Sequence, residues 1–219
     1  MKYKKQELGY TQGLVISSMG QSGGLALQWK PETKVAVQGF SRWHIDTHIT
    51  CNTTGAKWRL TGFYGQLDTS KREETWSISE SLYRTNQLPW LCIKDYNKII
   101  SQSEKSGGRL WPSRHLDWFC RAISLCGFHN LGFVASPFTW SKTGHIKGRL
   151  KIRLDKALAN NAWWLLFHGA VVHHISMSTS DHSMLSLHLK SNCHHQRPVK
   201  KLFWFEEIWL RDPHCSEVV

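Results

Sequence analysis

Three short islands of the sequence carry side chains able to do chemistry together. In Trp90-Leu91-Cys92-Ile93-Lys94-Asp95-Tyr96-Asn97, an apolar run leads directly into an acid and an amide two residues apart. On a strand, the period of two sets Asp95 and Asn97 on one side, where a carboxylate and an amide can converge on one ligand. The same residues also suit an Asx turn that merely ends a strand. The second island, Arg153-Leu154-Asp155-Lys156-Ala157-Leu158, offers another carboxylate. Its local alternative is a helix N-cap at Asp155 followed by a basic first turn. The third, Ser180-Asp181-His182-Ser183, puts an acid beside an imidazole just before an apolar run. That pair can be a ligand and an acid/base group, or two solvated loop residues.

Composition limits what such islands can serve. The chain has 219 residues, with 28 Lys+Arg against 16 Asp+Glu, and a formal net charge of +12. A hydrophobic share of 41% with 20% charged residues excludes a disordered tail and allows one sizeable α/β core. The basic balance and twelve tryptophans suit a polyanionic partner. No apolar run approaches the roughly 18 residues that span a bilayer, and residues 1–7 lack the apolar stretch of a signal peptide. The six cysteines are scattered with no C-x-x-C, which fits reduced thiols in an intracellular protein rather than a disulfide framework. Cys193-His194-His195 has no second ligand pair at zinc-finger spacing.

The elements that must position the islands follow from pattern. Residues 14–17 and 24–29 read as strands around a turn at Gly20-Gln21-Ser22-Gly23. Residues 43–51 and 57–64 read as a hairpin around Asn52-Thr53-Thr54-Gly55. Asp68 and Ser70 offer caps to a helix running to about Tyr83, with Thr75, Ile78 and Leu82 as its apolar stripe. Residues 89–93 read as a buried strand. Ser113 can cap a second helix that buries Leu116, Phe119, Cys120 and Ile123, with Gly127 as its C-terminal stop. Further strands are expected at 138–141, 170–175 and 184–189. Hairpins mixed with crossover helices predict an α/β layered sandwich with antiparallel content, not a doubly wound parallel sheet. Residues 190–201 read as a basic linker.

Taken in order, the islands resemble the endonuclease/exonuclease/phosphatase superfamily. More narrowly, they look like the endonuclease domain of plant LINE-type (non-LTR) retrotransposon proteins. Gly23-Gly24-Leu25-Ala26-Leu27-Gln28-Trp29 and Trp58-Arg59-Leu60-Thr61-Gly62-Phe63-Tyr64-Gly65 match segments of that group, as do Arg72 with Trp76. The match continues through 89–97, Glu104-Lys105-Ser106-Gly107-Gly108, Phe138-Thr139-Trp140, the second and third islands, and Phe203-Trp204-Phe205-Glu206-Glu207-Ile208-Trp209. It covers essentially the whole chain.

The resemblance implies a DNase-like sandwich of two mixed β-sheets flanked by helices over 1–190, a basic linker at 191–202, and the start of a following region at 203–219. It implies an Mg²⁺-dependent phosphodiester hydrolase, with Mn²⁺ as the alternative ion and DNA as partner. Asp95 would be the general base, Asn97 would hold the scissile phosphate, and Asp181 would bind the metal. His182 would stabilise the transition state, oriented by Asp155. Tyr64 and Arg72 match positions that contact phosphate or support the site. Lys142, Lys147, Arg149, Lys151, Arg153 and Lys156 crowd one stretch that either tracks phosphates or is a solvated loop. A chain active on DNA would work in the nucleus. The sequence departs from the family in three ways. It begins after the family's first two strands, one bearing Asn and one a metal-binding Glu. It also has Lys94 where the family has Gly, and Asn130 where relatives often have Asp. Those departures suggest a different protein, a relic that at most binds nucleic acid. A phosphatase of small phosphoesters is the third reading.

Overall fold

The structure, a computed structural model, describes residues 9–17, 24–52, 54–64, 72–144 and 148–189. β1 (Gln12–Ile16) and β2 (Leu25–Trp29) pair antiparallel, as the sequence suggests. The turn expected between them, the caps at Asp68 and Ser70, and the linker and following region from 190 onward lie outside the described residues. β3 (Lys34–Ser41), β4 (His44–Thr50) and β5 (Lys57–Tyr64) form an antiparallel meander. The expected hairpin is its β4–β5 half. Gly55 makes the tight turn there: its φ of 69° is left-handed, and its N–H donates to the Cys51 carbonyl at 2.9 Å.

Helix α1 (Arg72–Thr85) then crosses over to β6 (Trp90–Asp95), which pairs parallel with β5. A two-residue strand, β7 (Lys105–Ser106), precedes helix α2 (Ser113–Leu125). Pro112 is the N-cap of α2 and Ser113 its first helical residue, so Ser113 does not cap it. Proline suits that end because no N–H is missed there. Gly127, at φ 61° with its N–H on the Ser124 carbonyl, ends the helix as expected. β8 (Phe128–Asn130), β9 (Val134–Ala135), β10 (Trp140–Gly144), β11 (Gly148–Ile152) and β12 (Asp155–Asn160) follow. The chain continues with a short helix α3 (Asn161–Leu166), β13 (Val171–Ile175) and β14 (Met184–His188). Asp155 therefore opens a strand and is not a helix N-cap. The residue that does cap is Asn160, whose Oδ1 accepts the N–H of Trp163 at 2.9 Å and that of Trp90 at 2.9 Å.

The largest sheet has the order β3-β4-β5-β6-β12-β8 and is mixed, parallel only between β5 and β6. Its central strands are buried on both faces, and their alternation sorts the side chains into two cores. On one face Trp58, Leu91, Ala157 and Ala159 meet Trp163, Phe167 and Val172, with Leu185 and Leu187 packed alongside. On the other, Phe63, Trp90, Cys92 and Leu158 meet Phe119 and Cys126, with Ile78 and Leu82 of α1. The molecule is thus layered: helices α1 and α2, the six-stranded sheet, then the sheet β14-β13-β9. A third small sheet, β10-β11-β7, adjoins one end. This is the layered α/β sandwich with mixed sheets that the sequence predicts. No helix among the described residues is long and apolar enough to cross a membrane.

The helix-side core holds a buried charged pair on β4 and β5. Arg59 is 1% exposed and donates to both oxygens of Asp46, from Nε at 2.7 Å and from NH2 at 2.8 Å. Its remaining guanidinium nitrogen donates to the Leu82 carbonyl at 2.6 Å near the end of α1. Thr61 donates to Asp46 at 2.7 Å and accepts the Trp90 indole N–H at 2.8 Å. A buried guanidinium is tolerable because each of its three nitrogens has an acceptor, two of them carboxylate oxygens.

Candidate active site

Strand register brings three of the expected residues abreast. In the β5–β6 pairing Tyr64 lies opposite Asp95, and in the β6–β12 pairing Asp155 lies opposite Asp95. Alternation adds the second condition. Leu91, Ala157 and Trp58 sit on the face covered by β13 and β14, and Asp95, Asp155 and Tyr64 are each an even number of residues along from them. All three therefore stand in one row, at one end of the sheet, on the face turned toward the neighbouring layer.

That layer supplies the histidine. His182 precedes β14, and its Nδ1 lies 2.9 Å from Oδ2 of Asp155. A carboxylate only accepts, so Nδ1 carries the hydrogen and Nε2 is left facing away from the pair. The His182 side chain is 32% exposed and that of Asp155 14%, which keeps the pair at the mouth of the crevice between layers. The hydrogen bond to Asp155 is the main cause holding the imidazolium above its ordinary pKa, with the charges of Asp155, Asp95 and Asp181 adding and partial burial opposing. One ligand atom each of Asp95, Asp155 and His182 lies within 4.8 Å of the others.

Asn97 reaches this end by a different route from the one its spacing suggests. β6 stops at Asp95, and Asn97 is left-handed at φ 47° with its N–H on Asp95 Oδ1 at 2.9 Å. The Asx turn therefore exists, and it is this turn, not strand alternation, that sets Asn97 beside the carboxylate. Asp181 is adjacent to His182 but outside the Asp95–Asp155–His182 cluster: its Oδ2 accepts the Trp140 indole N–H at 2.8 Å.

The basic stretch divides. Lys142 is exposed on β10, and Lys151 of β11 is half-buried, its ammonium 5.9 Å from the Phe138 ring centroid. Arg153 is not the surface phosphate contact the stretch suggests. It is 9% exposed, donates from Nε to Glu104 Oε1 at 3.1 Å, pairs with that carboxylate again through NH2, and lies over the Phe133 ring. Lys156 is likewise turned inward, its Nζ 3.0 Å from Glu104 Oε2 and 2.8 Å from the Lys98 carbonyl. The reason is the buried acid: Glu104 is 7% exposed, and without these cations it would keep the Ile100 N–H at 2.8 Å but lack a counter-charge, which is costly inside the protein. Lys147 lies outside the described residues, as do the side chains of Arg149, Arg72 and Lys94.

Two supports of the site carried no chemical reading in the sequence. Thr139, 1% exposed, accepts on its hydroxyl from the N–H of Leu154 at 3.0 Å and of Asp155 at 2.9 Å. Glu104 pairs with both cations flanking Leu154 and Asp155, one on each carboxylate oxygen. Both lie in segments that carry the resemblance, Phe138-Thr139-Trp140 and Glu104-Lys105-Ser106-Gly107-Gly108, and that was the only signal.

No protein-family model matches the sequence, and no curated protein matches it. Among solved structures the chain is similar to the endonuclease domain of TRAS1, a telomere-specific non-LTR retrotransposon. The TM-score is 0.63 at 15% identity, covering 82% of this chain and 80% of that one. It is also similar to a beta toxin from Staphylococcus aureus, with TM-score 0.57, 15% identity and coverage of 85% and 80%. A protein of the endonuclease/exonuclease/phosphatase family from Bacteroides thetaiotaomicron gives 0.54 at 12% identity, with coverage of 85% and 77%. At such identities the likeness is one of architecture: this chain has the endonuclease/exonuclease/phosphatase fold.

Proposed function

We propose that the protein is a metal-assisted phosphodiester hydrolase that nicks DNA, of the retrotransposon endonuclease kind. The observation that carries the reading is the alignment of Tyr64, Asp95 and Asp155 on one sheet face, with His182 bonded to Asp155 from the opposite layer. The donor set fits a hard divalent cation, since Asp95 and Asp155 bring carboxylate oxygens within 4.8 Å and Asp181 is nearby in sequence to His182. Asp181 would hold Mg²⁺ or Mn²⁺, with the negative charge of Asp95 and Asp155 favouring the ion. When bound, the ion supplies positive charge against the non-bridging phosphate oxygens.

The remaining work belongs to the side chains. Asp95 orients a water and takes its proton as the oxygen attacks phosphorus. The Asn97 amide donates to a non-bridging oxygen and holds the phosphate in line. His182, kept in its Nδ1–H tautomer by Asp155, turns Nε2 to the pentacovalent transition state, where its protonated form donates to the charge that develops. Breakage of the bond to the leaving sugar oxygen completes the reaction, and that oxygen takes a proton from solvent. The net charge of +12 and the exposed Lys142 suit the DNA backbone.

Nicking of supercoiled plasmid in Mg²⁺ tests the proposal. Wild-type protein should convert it to open circles, and Asp95→Ala should not. Equal products from both, or salt-sensitive DNA binding with no cleavage by either, would leave only a nucleic-acid-binding relic.

A further inference from the structure

The three-residue segment Thr139-Trp140-Ser141 touches both halves of the site. From the first half, Thr139 Oγ1 receives the backbone N–H groups of Leu154 and Asp155 at 3.0 and 2.9 Å, fixing the point where β12 begins. The Thr139 N–H itself donates to the Ile152 carbonyl at 3.1 Å. From the second half, the Thr139 carbonyl accepts the Ser183 N–H at 2.6 Å, and the Ser141 N–H donates to the Asp181 carbonyl at 3.1 Å. Trp140 forms an isolated bridge with His182 and donates its indole N–H to the Asp181 carboxylate at 2.8 Å.

The stretch 176–181 is exposed throughout, so no apolar burial holds it in place. Its position relative to the sheet depends on these polar contacts and on the His182–Asp155 bond. Rotamer freedom matters as well: a lone Asp on an exposed loop samples several staggered states, and a buried or directed donor selects one.

We propose that Thr139 and Trp140 are positioning residues that hold Asp155 and the Asp181–His182 pair in one constellation, Thr139 through its hydroxyl and Trp140 through its indole N–H. The proposal rests on the phosphodiesterase reading of the same site. Thr139 acts through Asp155. Trp140 acts through Asp181, engaging one carboxylate oxygen and so selecting its rotamer. Neither needs to touch substrate.

The experiment uses the whole chain and three substitutions. Trp140→Phe keeps a ring and removes the donor; Thr139→Val keeps the shape and removes the hydroxyl; Thr139→Ser keeps the hydroxyl. In plasmid nicking, Trp140→Phe and Thr139→Val should lower kcat at least tenfold with KM changed less than twofold, and Thr139→Ser should stay within threefold of wild type. A purely structural role would lower all activity in proportion to the folded fraction seen by circular dichroism, and that result overturns the proposal. Wild-type kcat in Trp140→Phe overturns it too. A second readout separates failure of this idea from failure of the nuclease reading. In nitrogen-15 spectra the Trp140 indole N–H should exchange slowly in wild type and at least tenfold faster in Asp181→Ala. If exchange is unchanged, the clamp is refuted whether or not the protein cuts DNA.

Discussion

Lys156 offers a quantitative test of the packing under the site. Its side chain is 0% exposed, and burial drives its pKa from 10.5 down to about 8, against the raising influence of Glu104. In the unfolded chain the ammonium keeps its proton to about 10.4. Between pH 8 and 10.5 the unfolded state therefore binds a proton that the native state has lost, so native stability rises with pH. The slope is about 1.4 kcal/mol per pH unit, for a total on the order of 3 kcal/mol. Two other groups pull the opposite way. The buried Cys126 thiol is raised from 9.0 to about 11, and the buried Tyr96 phenol is raised well above 10.0. Each keeps a proton in the native state that the unfolded chain releases, so stability falls above pH 9 from the first and above pH 10 from the second. Lys156→Met isolates the lysine, because both proteins share Cys126 and Tyr96. Urea denaturation at half-unit steps from pH 7.5 to 10 should show wild type gaining about 1 kcal/mol on Lys156→Met by pH 9 and about 2 by pH 10. Parallel stability curves would mean that Lys156 is solvated, and the inward turn of the Arg153–Lys156 stretch would be wrong.

Three more outcomes follow from the same geometry. Asp155→Asn removes the chief cause of the raised His182 pKa, so the imidazole midpoint followed by NMR in metal-free protein should move down, and plasmid nicking should fall at least a hundredfold. Arg59→Met strands a buried carboxylate and should cost about 3–5 kcal/mol in urea denaturation, whereas an exposed pair such as Arg84–Glu80 would cost under about 1 when broken. Lys142→Glu should weaken DNA binding and flatten its salt dependence. Arg153→Met should leave the salt slope at its wild-type value and instead lower thermal stability, which a filter-binding series at several salt concentrations with parallel melting curves will separate.

Local chemistry read the strands well and the supports poorly. The β4–β5 hairpin, β6 leading into Asp95, the end of α2 at Gly127, and β13 and β14 were all legible, because alternation, turn residues and capping glycines act over a few residues. β3 and β12 were not, and Asp155 looked as much like a helix cap as a strand residue. β12 is a strand because it fits between β6 and β8, and no residue within it announces those partners. The basic stretch shows the same limit. Arg153 and Lys156 look like Lys142 in one dimension, yet they bury against Glu104, which lies 49 residues before Arg153.

By itself, then, the sequence determined which residues have the chemistry: a carboxylate at the end of β6, a second opening the Asp155 segment, and an Asp–His pair in a loop. It also determined the layered α/β class, through short-range periodicity. Tertiary structure alone decided that Tyr64, Asp95 and Asp155 share a row and a face, that Asp181 turns to Trp140, and that Arg153 serves the core and not a ligand. The physical reason is that strand register and the pairing of buried charge are settled between segments far apart in the chain, where the free energy of burying a polar group depends on which partner arrives.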